Sequence, residues 1–235
     1  MNLNRKMEVV SKQYDEIGEL YMNIQKSTGR VFPSKIWARS TLHRFVGSLQ
    51  NKVVLDAGCG NGHDAIDYLN AGASYVFGFD PSQVMLSDAN KILKDKNITE
   101  ATFKIGTYES IPFDDKCTDI VIGLFSLHYV ADLNAALNEM ARVTKPGGTI
   151  AIVCNHPTNV NVHKKSPYRG QEVVDIKIYG GAVTVRQVSH DISEYLCPVF
   201  FQHFRLNHFE EFFPADEEGN VQRVPTDFAI CATRL

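Results

Sequence analysis

The sequence predicts an α/β fold in which a seven-stranded, mostly parallel sheet carries helices on both faces. Three observations lead there. Apolar runs near residues 52–56, 74–79, 101–105, 118–122 and 148–153 alternate with helical patterns near 63–71, 82–95 and 133–143. Strands joined by crossovers of this kind lie parallel, with the helices covering the sheet. The first run, Val53-Val54-Leu55-Asp56-Ala57, opens directly onto Gly58-Cys59-Gly60-Asn61-Gly62, a turn whose glycines permit tight curvature and close approach from outside. Late in the chain two strand-like stretches, 205–212 and 228–233, read as antiparallel strands that close the sheet.

Taken in order, residues from about 6 to 49 read as helical and precede the first strand, so 1–50 form an N-terminal helical cap. Residues 51–155 form the core, with Lys145-Pro146-Gly147-Gly148 as a break before the fifth strand. Between 156 and 204, stretches 172–178 and 183–188 flank Gly180-Gly181 as a hairpin, and 191–204 reads as a helix interrupted by Pro198. This region is expected to be a small lid, and 205–235 to supply the closing strands. No Pro/Gly/Ser-rich linker divides the 235 residues, which therefore read as a single domain large enough for a sizeable core.

Composition excludes several function classes. With 24 Lys+Arg against 27 Asp+Glu, there is no basic excess to draw in a phosphate backbone, which argues against nucleic acid as a partner. No stretch approaches the ~18–20 apolar residues that cross a bilayer, and Met1-Asn2-Leu3-Asn4-Arg5-Lys6 lacks an apolar signal core. The expectation is a cytoplasmic protein without a membrane partner. Five scattered cysteines with no CxxC pair fit free thiols better than disulfides or a metal site.

The glycine turn reads as a nucleotide-cofactor turn. A dinucleotide site needs G-x-G-x-x-G, but here the third glycine, Gly62, comes one residue early and is followed by His63, so NAD is not the first choice. Asp56 ends the first strand, where a carboxylate can face a cationic amine. Asp80 ends the second, inside Gly78-Phe79-Asp80-Pro81, where a carboxylate can accept from both hydroxyls of a ribose.

V-L-D-A-G-C-G-N-G followed by G-F-D-P-S resembles the class I S-adenosylmethionine-dependent methyltransferases. Further segments fall in that family's order and spacing: Gly106 to Phe113, Thr118 to Ile122 leading to Leu127-His128-Tyr129-Val130, and Arg142 to Ile150. The resemblance covers roughly 51–155. It implies a Rossmann-like fold, S-adenosyl-L-methionine as methyl donor, S-adenosyl-L-homocysteine as its product, and no metal. It further implies that the amides of Gly58, Gly60 and Gly62 face the methionine carboxylate, helped by the following helix N-terminus, with Asp56 at the amino end and Asp80 on the ribose beside Pro81. At the adenine, relatives commonly read Gly-Asp-Ala-Glu where this chain has Gly106-Thr107-Tyr108-Glu109. The acceptor for the adenine amine is then the Thr107 hydroxyl, with the Tyr108 N–H toward the ring and Glu109 alongside; the Tyr108 side chain either stacks nearby or lies on the surface. Leu124 and Phe125 line the methyl site.

Methyl transfer from a sulfonium is an in-line displacement, for which alignment matters most and a base helps only if the accepting atom carries a proton. The candidate groups are Tyr14, His128 and His156, each with a plain alternative as a packing or capping residue. Tyr14 and Tyr21 share one helical face, two turns apart, and Tyr14-Asp15-Glu16-Ile17-Gly18-Glu19-Leu20-Tyr21 resembles the cofactor-covering segment of small-molecule relatives. Tyr168 and Arg169, in the cationic stretch His163 to Arg169, are candidates for holding an anionic substrate, against the reading of a solvated loop. The favoured function is methylation of nitrogen or oxygen on a small biosynthetic molecule. Methylation of tRNA or a peptide, and a non-catalytic S-adenosylmethionine-binding partner subunit, are the alternatives.

Overall fold

The computed structural model describes residues 13–24, 33–165, 170–215 and 219–235. Helices α1 (13–24) and α2 (Pro33–Val46) lead into the alternation β1 (Val53–Ala57), α3 (His63–Asn70), β2 (Tyr75–Asp80), α4 (Gln83–Asp95), β3 (Ala101–Ile105), β4 (Thr118–Leu124), α5 (Leu133–Val143) and β5 (Thr144–Asn155). Then follow α6 (Pro157–Asn161), the hairpin β6 (Val173–Ile178) and β7 (Val183–Val188), the short helices α7 (Ile192–Tyr195) and α8 (Pro198–His203), and strands β8 (Phe204–Phe212) and β9 (Asp227–Arg234).

Seven strands form one sheet in the order β3-β2-β1-β4-β5-β9-β8. β3, β2, β1, β4 and β5 run parallel, while β9 is antiparallel to both β5 and β8. This is the expected Rossmann-like, mostly parallel architecture. The strand order reverses between β1 and β4, so the crevice for a ligand opens at their carboxyl ends. The central strands are apolar and buried because helices cover both faces. One face packs Leu55, Val121, Ile150 and Ile152 under α5, α7 and α8, through Leu137, Met140, Tyr195 and Phe200. The other packs Val54, Val76, Ile122 and Val153 under α2, α3 and α4, through Leu42, Ala65, Leu86 and Ala89.

Local chemistry fixes the helix starts. The Ser82 hydroxyl accepts from Met85 N–H at 3.2 Å and the Asp132 carboxylate from Ala135 N–H at 3.0 Å, so α4 and α5 each begin on a side-chain cap. α3 has no side-chain cap; its Gly62 is left-handed at φ 75°, and Asp64 in the first turn interacts favourably with the positive end of the helix dipole.

Four details depart from the sequence expectation. The N-terminal cap divides. α2 belongs to the sheet face, whereas α1 places Tyr14 and Ile17 in a small separate core with Val160 and the hairpin residues Val174, Ile176, Val183 and Val185. The Lys145-Pro146-Gly147-Gly148 break lies inside β5, as an irregularity between the pairs Thr118–Thr144 and Ile120–Thr149. The hairpin turns through Tyr179–Gly181, with the non-glycine Tyr179 left-handed at φ 53°, rather than on Gly180-Gly181 alone. Pro198 does not kink a helix; it starts a second one, where its missing N–H costs nothing. Among the described residues no helix is long and apolar enough to cross a membrane, and no group of three His, Cys, Asp or Glu could hold a metal ion.

Candidate active site

A cavity of about 350 Å³ opens at the carboxyl ends of β1, β2 and β4, roofed by α1 and α2. Its floor is the glycine turn. Gly58 is left-handed (φ 73°), and a Cβ there would lie 2.4 Å from Ser126 Cβ, so the turn and the segment after β4 touch through the missing side chain. A Cβ on Gly60 would meet nothing within 4 Å; the backbone there faces open space.

The turn's amides are largely spent on the protein itself. Gly58 and Cys59 N–H both donate to Phe79 O at 2.9 Å, Gly60 N–H donates to Asp80 Oδ2 at 3.0 Å and Gly62 N–H to Cys59 O at 2.9 Å. This corrects the expectation that Gly58 to Gly62 present their amides to an anion. The donors left for one are Asn61 N–H and the first turn of α3. Gly62 does not line the cavity at all. Its Cβ would meet Ala89 Cβ and the Phe103 ring at 3.0 Å, so it is glycine to let α3 pack against α4 and β3.

Asp80 is buried at the cavity edge, with Oδ1 accepting from Ser82 N–H at 2.9 Å and Oδ2 from Gly60 N–H. Burial raises its pKa to about 6, against the lowering effect of the two amides, and Asp15 adds a further upward push. Ser82 Oγ donates to Asp15 Oδ1 at 2.8 Å, which ties α1 to the start of α4 beside this carboxylate. Asp56 is 3 % exposed and sits behind the turn rather than in the cavity wall, with Oδ2 unpartnered. Burial, then Asp64 and Asp80, push its pKa well up.

Thr107, Tyr108 and Glu109 line the far end of the cavity, and Thr107 is held there by reciprocal backbone bonds with Ser110 at 3.4 and 3.1 Å. The Tyr108 side chain takes neither expected place. Its ring is buried edge-on to Phe79 at 5.3 Å, and its hydroxyl donates to Ala57 O at 3.0 Å beside Ser126 Oγ.

Past β4, Leu124 and Phe125 line the cavity with Ser126 and Tyr129. Phe125 is left-handed (φ 55°), a conformation that costs a non-glycine residue about 1–3 kcal/mol and is found mainly where a site requires it. Tyr14 and Tyr21 descend from α1, and the Tyr14 hydroxyl donates to that of Tyr129 at 2.9 Å. Burial raises the Tyr14 and Tyr21 phenols well above their ordinary range and pushes Tyr129 to about 12. Burial thus favours the neutral, hydrogen-bonding form of all three phenols.

The two histidines lie outside the cavity. His128 is 1 % exposed, its Nδ1 accepting from Asn155 N–H at 3.4 Å and its ring 4.4 Å from that of Tyr129. Burial depresses it to about 3. His156 caps α6 by accepting from Thr158 N–H at 3.1 Å. Its Nε2 lies 2.9 Å from Glu211 Oε1, too poorly aligned to count as a hydrogen bond. In these contacts His128 packs against Tyr129 and His156 caps α6. Tyr168 and Arg169 lie outside the described residues. Sequence reading missed Lys35, Arg39, Asp64, Ser126 and Tyr129, all of which line the cavity. Arg39 bonds Asp64 Oδ1 through Nε and Nη2 at 2.9 and 2.8 Å, joining α2 to α3 over the turn.

Residues 54–148 match the family model described as methyltransferase domain, a span that runs from β1 through the turn to the start of β5. Over this span the chain carries a methyltransferase domain of the class I S-adenosylmethionine-dependent type. It is similar to a demethylmenaquinone methyltransferase of Halalkalibacterium halodurans, at 30 % identity over 162 residues, 68 % of this chain and 65 % of that one. An uncharacterised methyltransferase of Bacillus subtilis is 34 % identical over 103 residues, 43 % of this chain and 39 % of that one. The chain thus spans less than two thirds of the length of either relative. Among solved structures, a putative S-adenosylmethionine-dependent methyltransferase from Listeria monocytogenes superposes with a TM-score of 0.69 at 21 % identity, covering 83 % of this chain and 97 % of that one. That likeness speaks for the fold.

S-adenosylmethionine is the methyl donor named for the similar solved structure, and the groups at this site fit it. Asp80 retains lone pairs for ribose hydroxyls. The unpartnered Asp56 Oδ2 behind the turn is a buried acceptor without a donor, which a ligand ammonium would supply directly or through water. The open face above Gly60 leaves room for the ligand to pass against bare backbone.

Proposed function

We propose that this methyltransferase methylates a nitrogen or oxygen of a small-molecule acceptor. The observation that carries the reading is the tyrosine-lined end of the cavity. The glycine turn and Asp80 form one end, Leu124, Phe125 and Tyr129 the other, and helices α1 and α2 cover the space between them. A roofed site of this size suits a small molecule better than a polymer. Similarity to a methyltransferase of demethylmenaquinone, itself a small molecule, points the same way.

S-adenosylmethionine supplies a methyl group on a sulfonium, which an acceptor lone pair displaces in line. The work of the chain is to bind, orient and exclude water. Asp80 and Thr107 hold the two ends of the nucleoside, the backbone after β4 sets the methyl site, and Tyr14 and Tyr129 orient the acceptor by hydrogen bonds. With neutral phenols on this side and both histidines outside, the acceptor must already be nucleophilic when bound. An amine bound as the neutral base, or an oxygen already ionised, meets that condition. The test is to incubate the protein with methyl-labelled S-adenosylmethionine and a cell extract, then fractionate. Label in small molecules is expected; label confined to RNA or protein overturns the reading.

A further inference from the structure

We propose that the acceptor is an anion with a flat apolar body, its charged group held by Lys35 and its body lying against a wall of tyrosine rings. The inference rests on the small-molecule reading above and names the class of molecule.

The charges around the cavity are segregated. Asp64, Asp80 and Glu109 stand at the cofactor end, and the Arg39 cation is committed to Asp64. Lys35, one helical turn before Arg39 on α2, also lines the cavity and is half-buried, yet no carboxylate among the described residues pairs with it. Its Nζ lies 3.5 Å from the Tyr179 hydroxyl and 5.8 Å from that ring's centre. The loop that the sequence offered as an anion holder does not compete for this role at Lys164, whose Nζ donates to Gly170 O at 2.6 Å. An ammonium kept half out of water without a counter-charge is a poor arrangement for the free protein and a good one for a bound anion.

The wall is continuous. Tyr21, Tyr14 and Tyr129 line the cavity, Tyr21 meeting Tyr14 at 5.9 Å and Tyr14 meeting Tyr129 at 5.6 Å, and Tyr179 backs Tyr21 at 5.5 Å from outside the lining. The rings are steeply inclined to one another, and Phe125 lines the same cavity. These rings come from α1, the β6–β7 turn and the segment after β4. Tyr179 is left-handed at φ 53° beside left-handed Gly180, as a tight hairpin turn requires. Tyr14, Tyr21 and Tyr129 remain neutral, so the wall contributes no negative charge to repel an anion. It offers aromatic surface and hydroxyl donors, which suits a planar carboxylate or phenolate.

The experiment titrates S-adenosylhomocysteine-saturated protein with benzoate and with its neutral counterpart benzamide, reading binding by calorimetry and by the unfolding midpoint. Benzoate is expected to bind at least fivefold more tightly than benzamide. Lys35→Met should abolish that preference, Lys35→Arg should retain it, and S-adenosylhomocysteine affinity should stay within twofold in both variants. Equal binding of the two probes, or a preference that survives Lys35→Met, overturns the inference and leaves the methyltransferase reading standing. A tenfold loss of S-adenosylhomocysteine affinity in Lys35→Met also overturns it, because Lys35 then serves the cofactor's own carboxylate. Failure of the unaltered protein to bind S-adenosylhomocysteine sinks both readings.

Discussion

The Tyr14 hydroxyl donates to the Tyr129 hydroxyl at 2.9 Å, bonding helix α1 to the turn after β4 across 115 positions of sequence. This single bond joins the roof of the cavity to its methyl end. Because burial keeps both phenols protonated, its role is orientation. Tyr14→Phe and Tyr129→Phe each remove a neutral hydrogen bond worth about 0.5–1.5 kcal/mol, so kcat should fall by roughly two- to tenfold. The pH–rate profile should keep its shape between about pH 6 and 9. A profile that loses a limb in either variant would show that the pair titrates in catalysis.

The two glycines of the turn should fail differently. Gly58→Ala places a methyl group 2.4 Å from Ser126 Cβ in a backbone region that alanine avoids, and should destabilise the fold by about 2 kcal/mol or more. Gly60→Ala points its methyl group into open space. It bears only the left-handed backbone cost of about 1 kcal/mol, but obstructs the cofactor. Thermal unfolding and calorimetry separate the two: a lower midpoint dominates in the first variant and lost S-adenosylmethionine affinity in the second. Equal effects on both readouts would mean that Gly60 does not face the ligand.

Much of this site was legible because it sits on local pattern. Apolar runs, the glycine turn and an aspartate near the end of each of the first two strands fix β1, β2 and the carboxyl-end edge on which the cavity opens without long-range information. The errors arose where contacts are distant in sequence. The amides of Gly58 and Cys59 are consumed by Phe79 O, on the neighbouring strand, and Gly62 is glycine because of Ala89 and Phe103; neither fact is written near the turn. His128 and Tyr129 are adjacent, and histidine is the usual candidate for proton chemistry. The short turn Leu127–Tyr129 buries the histidine and turns the tyrosine to the cavity. Lys35 and Arg39 carry no motif, since a cation four residues from another on a helix is common surface chemistry. Only the fold brings them over Tyr179 and Asp64.

Thr107 lines the cavity and is proposed to accept from the adenine amine. Thr107→Val removes a neutral acceptor and should weaken S-adenosylmethionine by about 0.5–1.5 kcal/mol, whereas Thr107→Asp should match or exceed the unaltered protein. Equal affinity of all three by calorimetry would place Thr107 outside the adenine contact.

The last prediction concerns Asp80 and pH. Its pKa rises from 3.8 to about 6 on folding because burial outweighs two amide hydrogen bonds. The folded protein therefore holds this proton more tightly than the unfolded chain. The resulting stabilisation is complete below about pH 3.8 and is lost as pH rises through about 6, by up to about 3 kcal/mol for a shift of this size. Asp56 and Asp227 are shifted the same way, while Glu194, held down to about 2, titrates below the window. His128, held down to about 3, acts in the opposite direction over the same window, so the Asp80 contribution is read as the difference in pH dependence of the unfolding midpoint between the unaltered protein and Asp80→Asn. Ribose hydroxyls donate to the ionised carboxylate, so cofactor binding should tighten as pH rises from 5 to about 6.5 and then level off. Saturating S-adenosylhomocysteine should correspondingly flatten the dependence of the unfolding midpoint on pH. Asp80→Asn cannot ionise: it should bind the cofactor about 1.5–3 kcal/mol more weakly at neutral pH and lose most of this pH dependence. An unchanged pH dependence of affinity in Asp80→Asn would assign the titration to another group, with Asp56 the next to replace.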